Sequence, residues 1–178
     1  MALLSPERYF SRISSIDIQR DLMGAGFGHV LLDVDNTILS RATHDIPRDV
    51  GVWLGKARTA GVEFCLVSNN WHASVHQLAG VLDVPVVGKS CKPLPQGFLL
   101  GLAKVGGTRK NTVVVGDQLL TDVLGAHLVG LPVYMVQPLV EVDLPHTMAL
   151  RNFERAVLGN RRPEPVSVVA DDPSRQTP

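Results

Sequence analysis

Aromatic side chains, cysteine, net charge and long apolar runs are all scarce in this sequence, and each shortage removes a class of protein. Aromatic residues make up only 5% of the chain, so a core built from its 45% apolar residues must rest mainly on Val, Leu and Ala. No stretch reaches the roughly 18 to 20 continuous apolar residues that cross a bilayer. Lys plus Arg and Asp plus Glu balance at 17 each, which argues against a broad nucleic-acid surface, and none is expected as a partner. There are two cysteines. Cys65 lies within the apolar "VEFCLVS" and Cys91 just before Lys92, without CxxC spacing, so two free thiols are expected. Pro6, Glu7 and Arg8 stand where a signal peptide would need an apolar stretch. The expectation is a cytoplasmic protein, with peripheral attachment at the inner membrane face as its one variant.

The apolar residues that are present come in short blocks. Runs rich in Val, Leu and Ile at His29–Val34, Val62–Val67, Pro85–Val87, Thr112–Val115 and Pro132–Val136 lack a polar/apolar alternation. They predict strands buried on both faces, as in a parallel sheet. Helical stretches separate them at Arg48–Ala60, Ala73–Val81, Gln96–Val105 and Leu119–Val129, several ending at a glycine (Gly61, Gly106, Gly130). Leu120, Val123, Leu124 and Leu128 predict the inward face of the fourth. Repeated βα units imply right-handed crossovers and a three-layer α/β domain with a central parallel sheet.

Three segments are foreseen. Residues 1–28 form an N-terminal amphipathic segment, in which Tyr9, Phe10, Ile13 and Ile16 among Arg8, Arg12 and Arg20 predict a helix over residues 1–23. Residues 29–158 form the main α/β domain, closing with a helix over His146–Leu158. Residues 159–178, rich in Pro, Ser and charge, form a disordered tail.

The chemistry gathers where strands stop. Ligands of open α/β sheets bind at the carboxyl ends of the strands, and here the first strand ends in Asp33, the second in Ser68 and the fourth in Gly116-Asp117. In "HVLLDVDNTILS" Asp33 and Asp35, two apart on extended chain, point the same way. Two such carboxylates repel unless neutralised, and a divalent cation removes that difficulty. Asp117 and Asp122 are the natural additional acids, and an oxygen-only set suits Mg²⁺ better than zinc. The plain alternatives are turn and helix-cap roles for Asp35, Thr37 and Ser68, a solvated Lys92, and first-turn acids at Asp117 and Asp122. His72 and His76, four apart without a third ligand, read as surface histidines.

These residues resemble the haloacid dehalogenase-like (HAD) phosphohydrolases. "DVDNT" is similar to the DxDx[TV] motif, and "LVSNN", "KSCKP" and "VVGDQLLTD" follow in the family's order. "SNN", "GDQLLTDVLGA" and "PERYFSRISSID" resemble the YqeG-like subgroup of the IIIA-type phosphatases. The resemblance implies a Rossmann-like HAD fold and a phosphatase. Asp33 would be the nucleophile that forms an aspartyl-phosphate. Asp35 would protonate the leaving alcohol and then activate water. It further implies that Ser68 contacts a phosphoryl oxygen with Asn69 assisting, and that Lys92 neutralises nucleophile and phosphate. Asp117 would hold Mg²⁺ with Asp33 and the Asp35 carbonyl, with Asp122 in support and Thr37 bracing the loop.

No cap domain fits between Thr37 and Ser68, or between Ser68 and Lys92, so an open site is expected. Arg41, Trp71, His72 and Lys89 are its rim candidates. The subgroup resemblance implies phosphatidylglycerophosphate as substrate, a lipid headgroup presented at a membrane that the N-terminal segment would touch. Two other readings stand beside it. One is a phosphatase for a phosphorylated small molecule, with a neighbouring protomer as lid. The other is a phosphate-binding scaffold without turnover, which would not need the second carboxylate.

Overall fold

The computed structural model describes residues 3–70, 73–140, 157–159 and 161–165. Six parallel strands form one sheet: β1 (Arg8–Phe10), β2 (His29–Leu32), β3 (Glu63–Val67), β4 (Val86–Val87), β5 (Thr112–Gly116) and β6 (Val133–Val136), in the order β1-β6-β5-β2-β3-β4. The helices are α1 (Arg48–Thr59), α2 (Ala73–Leu82), α3 (Pro95–Lys104) and α4 (Leu124–Leu128). All five expected strands are present, and so are the first three of the four helices expected between them.

Successive strand residues face opposite sides of a sheet, and the core divides accordingly. Val30, Leu32, Phe64, Leu66, Val113 and Val115 pack with Val50, Trp53, Leu54 and Ala57 of α1 and with Val75 and Ala79 of α2. Leu31, Cys65, Val67 and Val114 pack on the other side with Phe98, Val123 and Ala126. Both faces are covered, hence the near-continuous apolar strands. Gly61, Gly106 and Gly130 sit at φ 89°, 64° and 73°, the left-handed conformation that closes a helix and that only glycine adopts without strain.

The N-terminal helix is not formed. Residues 8–10 are instead a sixth strand that pairs with β6, Arg8 opposite Tyr134 and Phe10 opposite Val136. A 3-10 turn (Ile13–Ser15) and a π-helical turn (Ile18–Met23) follow. The open edge of β6 offers main-chain hydrogen bonds to the chain, and Gln137 N donates to Phe10 O at 3.0 Å. Phe10, Ile13 and Ile16 are buried, and Trp53 Nε1 donates to Ile16 O at 2.7 Å. These apolar side chains fill the core, so they are not available to enter a membrane.

The fourth expected helix is broken in two. Leu119–Val123 is a π-helical turn and only Leu124–Leu128 is α-helical. The extra residue in the π turn rotates the register: Leu119, Val123 and Ala126 are buried, whereas Leu128 is exposed and Leu120 and Leu124 are half-buried. Residues 161–165, within the expected tail, lie along β1. Glu164 N donates to Tyr9 O at 2.7 Å, and its carboxylate pairs with Arg8. The expected helix over His146–Leu158 lies outside the described residues except at its end. Among the described residues no helix is long and apolar enough to cross a membrane.

Candidate active site

Parallel strands end on one rim, and strand order decides which ends are neighbours. β2 lies between β5 and β3, with Leu32 in register with both Val115 and Leu66. Asp33 continues β2, its N–H donating to Val115 O at 2.9 Å. Asp117 and Ser68 directly follow the two flanking strands. Ser68 N donates to Val87 O at 3.0 Å, which brings the loop after β4, and Lys92 with it, onto the same rim.

Lys92 is the hub. Its Nζ donates to Asp33 Oδ1 at 2.5 Å and to Asp122 Oδ1 at 2.7 Å, with the Lys92 side chain only 3% exposed. A lone ammonium buried so deeply would shed its proton. Burial does press its pKa down, but Asp122 and Asp33 outweigh it and hold the pKa above the ordinary lysine range. Burial pushes the carboxyl of Asp122 up, Asp33 adds to the rise, and Lys92 opposes both. Removing one partner of such a buried pair costs about 3 to 5 kcal/mol.

Asp33, Asp117 and Asp122 are all buried and bring carboxylate oxygens within 4.8 Å of one another. Three carboxylates against one ammonium leave an excess of negative charge in a dry place. The donor set is oxygen only, as a hard divalent cation requires. The residues therefore fit the cation that the sequence implied. Both Asp122 oxygens are also engaged by the protein, Oδ1 by Lys92 and Oδ2 by the N–H of Gln118 at 3.2 Å. The side chain of Asp35 stands outside the trio.

Asp35 occupies a tight turn. Asn36 N donates to Leu39 O at 2.8 Å and Leu39 N to Val34 O at 3.0 Å, with Asn36 at φ 62°. Asp35 is half-buried, and burial raises its pKa. The charge of Asp33 raises it further, against Arg41, a hydrogen bond to Asn70 and Lys92. A carboxyl that holds its proton longer than usual suits a general acid. Thr37 Oγ1 donates to Asp33 Oδ2 at 3.2 Å, so Lys92 and Thr37 engage the two oxygens of one carboxylate.

Ser68 is buried, and its Oγ accepts the N–H of Asn70 at 3.0 Å. Asn69 spends its amide on the neighbouring loop, accepting from Lys92 N at 2.6 Å and from Ser90 Oγ at 2.9 Å, and donating to Lys92 O at 3.1 Å. Sequence reasoning placed Asn69 beside the substrate and missed both this clamp and the contact of Asn70 with Asp35. The doubled Asn of "SNN" was the available signal. Trp71 and His72 lie outside the described residues. Cys65 is buried and Cys91 exposed, both free.

The family model described as HAD-hydrolase-like matches residues 90–138. The chain is 30% identical over 129 residues to the probable phosphatase YqeG of Bacillus subtilis, an alignment that spans 72% of this chain and 75% of that protein. A hydrolase of HAD subfamily IIIA from Legionella pneumophila has the same fold, with a TM-score of 0.52 at 15% identity over 75% of this chain and 76% of its own. So does a protein from Listeria monocytogenes, with a TM-score of 0.52 at 14% identity over 74% of this chain and 97% of its own.

Proposed function

This chain belongs to the HAD-like hydrolases, in their YqeG-like branch, and is a phosphatase; from that premise we propose that it hydrolyses phosphomonoesters with Mg²⁺ through a phosphorylated Asp33. The observation that carries the reading is the contact of one buried ammonium with Asp33 and Asp122, beside Asp117.

Asp33 attacks phosphorus through a carboxylate oxygen. As that bond forms, the bond from phosphorus to the ester oxygen breaks, and Asp35 gives its proton to the departing alkoxide. Asp35, now a carboxylate, takes a proton from water. The resulting hydroxide attacks phosphorus, inorganic phosphate leaves, and Asp33 returns as a carboxylate. Lys92 offsets the charge on Asp33 and on the equatorial phosphoryl oxygens, and the hydroxyl of Ser68 donates to one of them. Thr37 holds the Asp33 carboxylate in the attacking orientation. Asp33, the Asp35 carbonyl and Asp117 would hold Mg²⁺, with Asp122 supporting Lys92. The bound ion supplies positive charge that draws the substrate phosphate in and offsets developing charge.

Among the described residues, residues 35–46 and the single helix before β3 build no cap over the rim, which favours a substrate that extends beyond the site. A lipid headgroup such as that of phosphatidylglycerophosphate meets this condition. The test is a phosphoester panel containing that lipid, sugar phosphates and p-nitrophenyl phosphate, with and without Mg²⁺. Hydrolysis that requires Mg²⁺ and falls by about two to three orders of magnitude in Asp33→Asn is expected, as for loss of a covalent nucleophile. Turnover of sugar phosphates alone would assign a soluble substrate. Absence of turnover across the panel would leave a binding scaffold.

A further inference from the structure

We propose that Asn69 is a positioning residue which sets Lys92 against Asp33, tying the loop that carries the ammonium to the loop that meets the phosphate. The inference rests on the phosphatase reading above and adds a role that acts through another side chain.

Within and just after the loop from Lys89 to Lys92, Cys91 Sγ donates to Lys89 O at 3.4 Å and Leu94 N to Cys91 O at 3.0 Å. Lys89 and Cys91 both sit in the left-handed region, at φ 52° and 56°, where residues with a Cβ are strained. Further fastenings run to residues 68–70. Lys89 N donates to Asn70 O at 3.3 Å and Ser90 N to Ser68 O at 3.0 Å. Three more come from one side chain: Asn69 Oδ1 accepts Lys92 N and Ser90 Oγ, and Asn69 Nδ2 donates to Lys92 O. A carboxamide offers two donors and two acceptors. Here both acceptor sites and one donor are committed, and together they satisfy both backbone polar groups of Lys92.

From that fixed point the Lys92 side chain runs inward to Asp33 and Asp122. A long, rotatable stem reaches its target reliably only when its root is held. A misplacement of about 1 Å in such a group costs on the order of a hundredfold in rate. Only Asn meets these demands at this position. Asp lacks the donor for Lys92 O, Ala lacks everything, and Gln carries the same groups one methylene too far.

The test is a double-mutant cycle of Asn69→Ala and Lys92→Ala on the full chain. It is read by calorimetric binding of inorganic phosphate with Mg²⁺ and by kcat for p-nitrophenyl phosphate. With Lys92 present, Asn69→Ala is expected to weaken phosphate binding about tenfold and lower kcat about 10- to 100-fold. With Lys92 already replaced, it is expected to change neither by more than about twofold. Asn69→Gln, run through the same cycle, reproduces the loss and decides the matter if the alanine variant does not fold. Equal losses in both backgrounds would show that Asn69 touches phosphate directly and would overturn the proposal, as would no loss in the Lys92 background. A wild-type chain that binds phosphate yet hydrolyses nothing would sink the phosphatase reading alone, because the binding cycle still judges Asn69. A chain that does neither would sink both.

Discussion

Gly116 leaves room for Asp122: a Cβ at position 116 would stand 2.4 Å from the Asp122 Cγ and 2.5 Å from its Oδ2. Real Cβ atoms essentially never come that close to a neighbour. The last residue of β5 must therefore be glycine if the carboxylate behind it is to reach Lys92.

Gly116→Ala is accordingly expected to push Asp122 out of the site. Overpacking of this kind costs about 1 to 3 kcal/mol, read as a lower thermal midpoint. The displaced carboxylate also releases Lys92, so kcat should fall by at least about tenfold. Wild-type turnover in Gly116→Ala would show that Asp122 does not need its present place.

Asp35→Asn separates the two chemical steps. An ester with a poor leaving group needs the Asp35 proton, so its hydrolysis should fall by about two or more orders of magnitude. p-Nitrophenolate leaves without help, so phosphorylation of Asp33 persists while the water step stalls. Rapid mixing should then show a burst approaching one nitrophenolate per chain. Steady turnover without a burst would remove Asp35 from the second step.

Asp21 gives a stability prediction remote from the site. Its buried carboxylate accepts from Arg20 Nε at 2.6 Å, Arg20 Nη2 at 2.9 Å and Asp17 N at 2.9 Å, and pairs with Arg8 Nη1 at 2.7 Å. Burial would raise its pKa, but the bonds from Arg20 and Arg8 win and lower it from 3.8 to about 2. A folded-state pKa below the unfolded one contributes stability above about pH 4, and that contribution is lost as pH falls toward 2. After allowance for solvent screening of the partly exposed guanidiniums, it amounts to about 1 to 2 kcal/mol. Urea melts of wild type and Asp21→Asn should differ most at neutral pH and converge as pH falls to about 2. A constant difference across this range would contradict the linkage.

The two thiols should differ in reactivity. Burial pushes the Cys65 thiol up to about 11, whereas Cys91 is exposed. Ellman's reagent should titrate one thiol per native chain, and the second only after unfolding. Two fast thiols would mean that the β3 core opens readily.

Much of the fold was legible because buried parallel strands and short amphipathic helices leave local periodicities. His29–Leu32 and Thr112–Gly116 could be read as strands, and Arg48–Thr59 as a helix, without any distant partner. The N-terminal strand was not legible. Tyr9, Phe10, Ile13 and Ile16 mimic a helical spacing, and only the vacant edge of β6 makes an extended chain the better solution for residues 8–10. The π turn at Leu119–Val123 was equally hidden, since one added residue per turn alters no composition, only which leucines face inward.

The site divides in the same way. Which acids, hydroxyl and lysine stand at strand ends, and in what order, follows from the chain alone, because apolar runs stop where polar loops begin. What those residues touch does not. Lys92 meets Asp33 across 59 positions and Asp122 across 30, and Asn69 holds Lys92 across 23. Such contacts arise from the order β5-β2-β3-β4, which sets four loops side by side. Local spacing carries no information about that order, because strand pairing is decided by the burial and hydrogen bonding of the whole sheet at once.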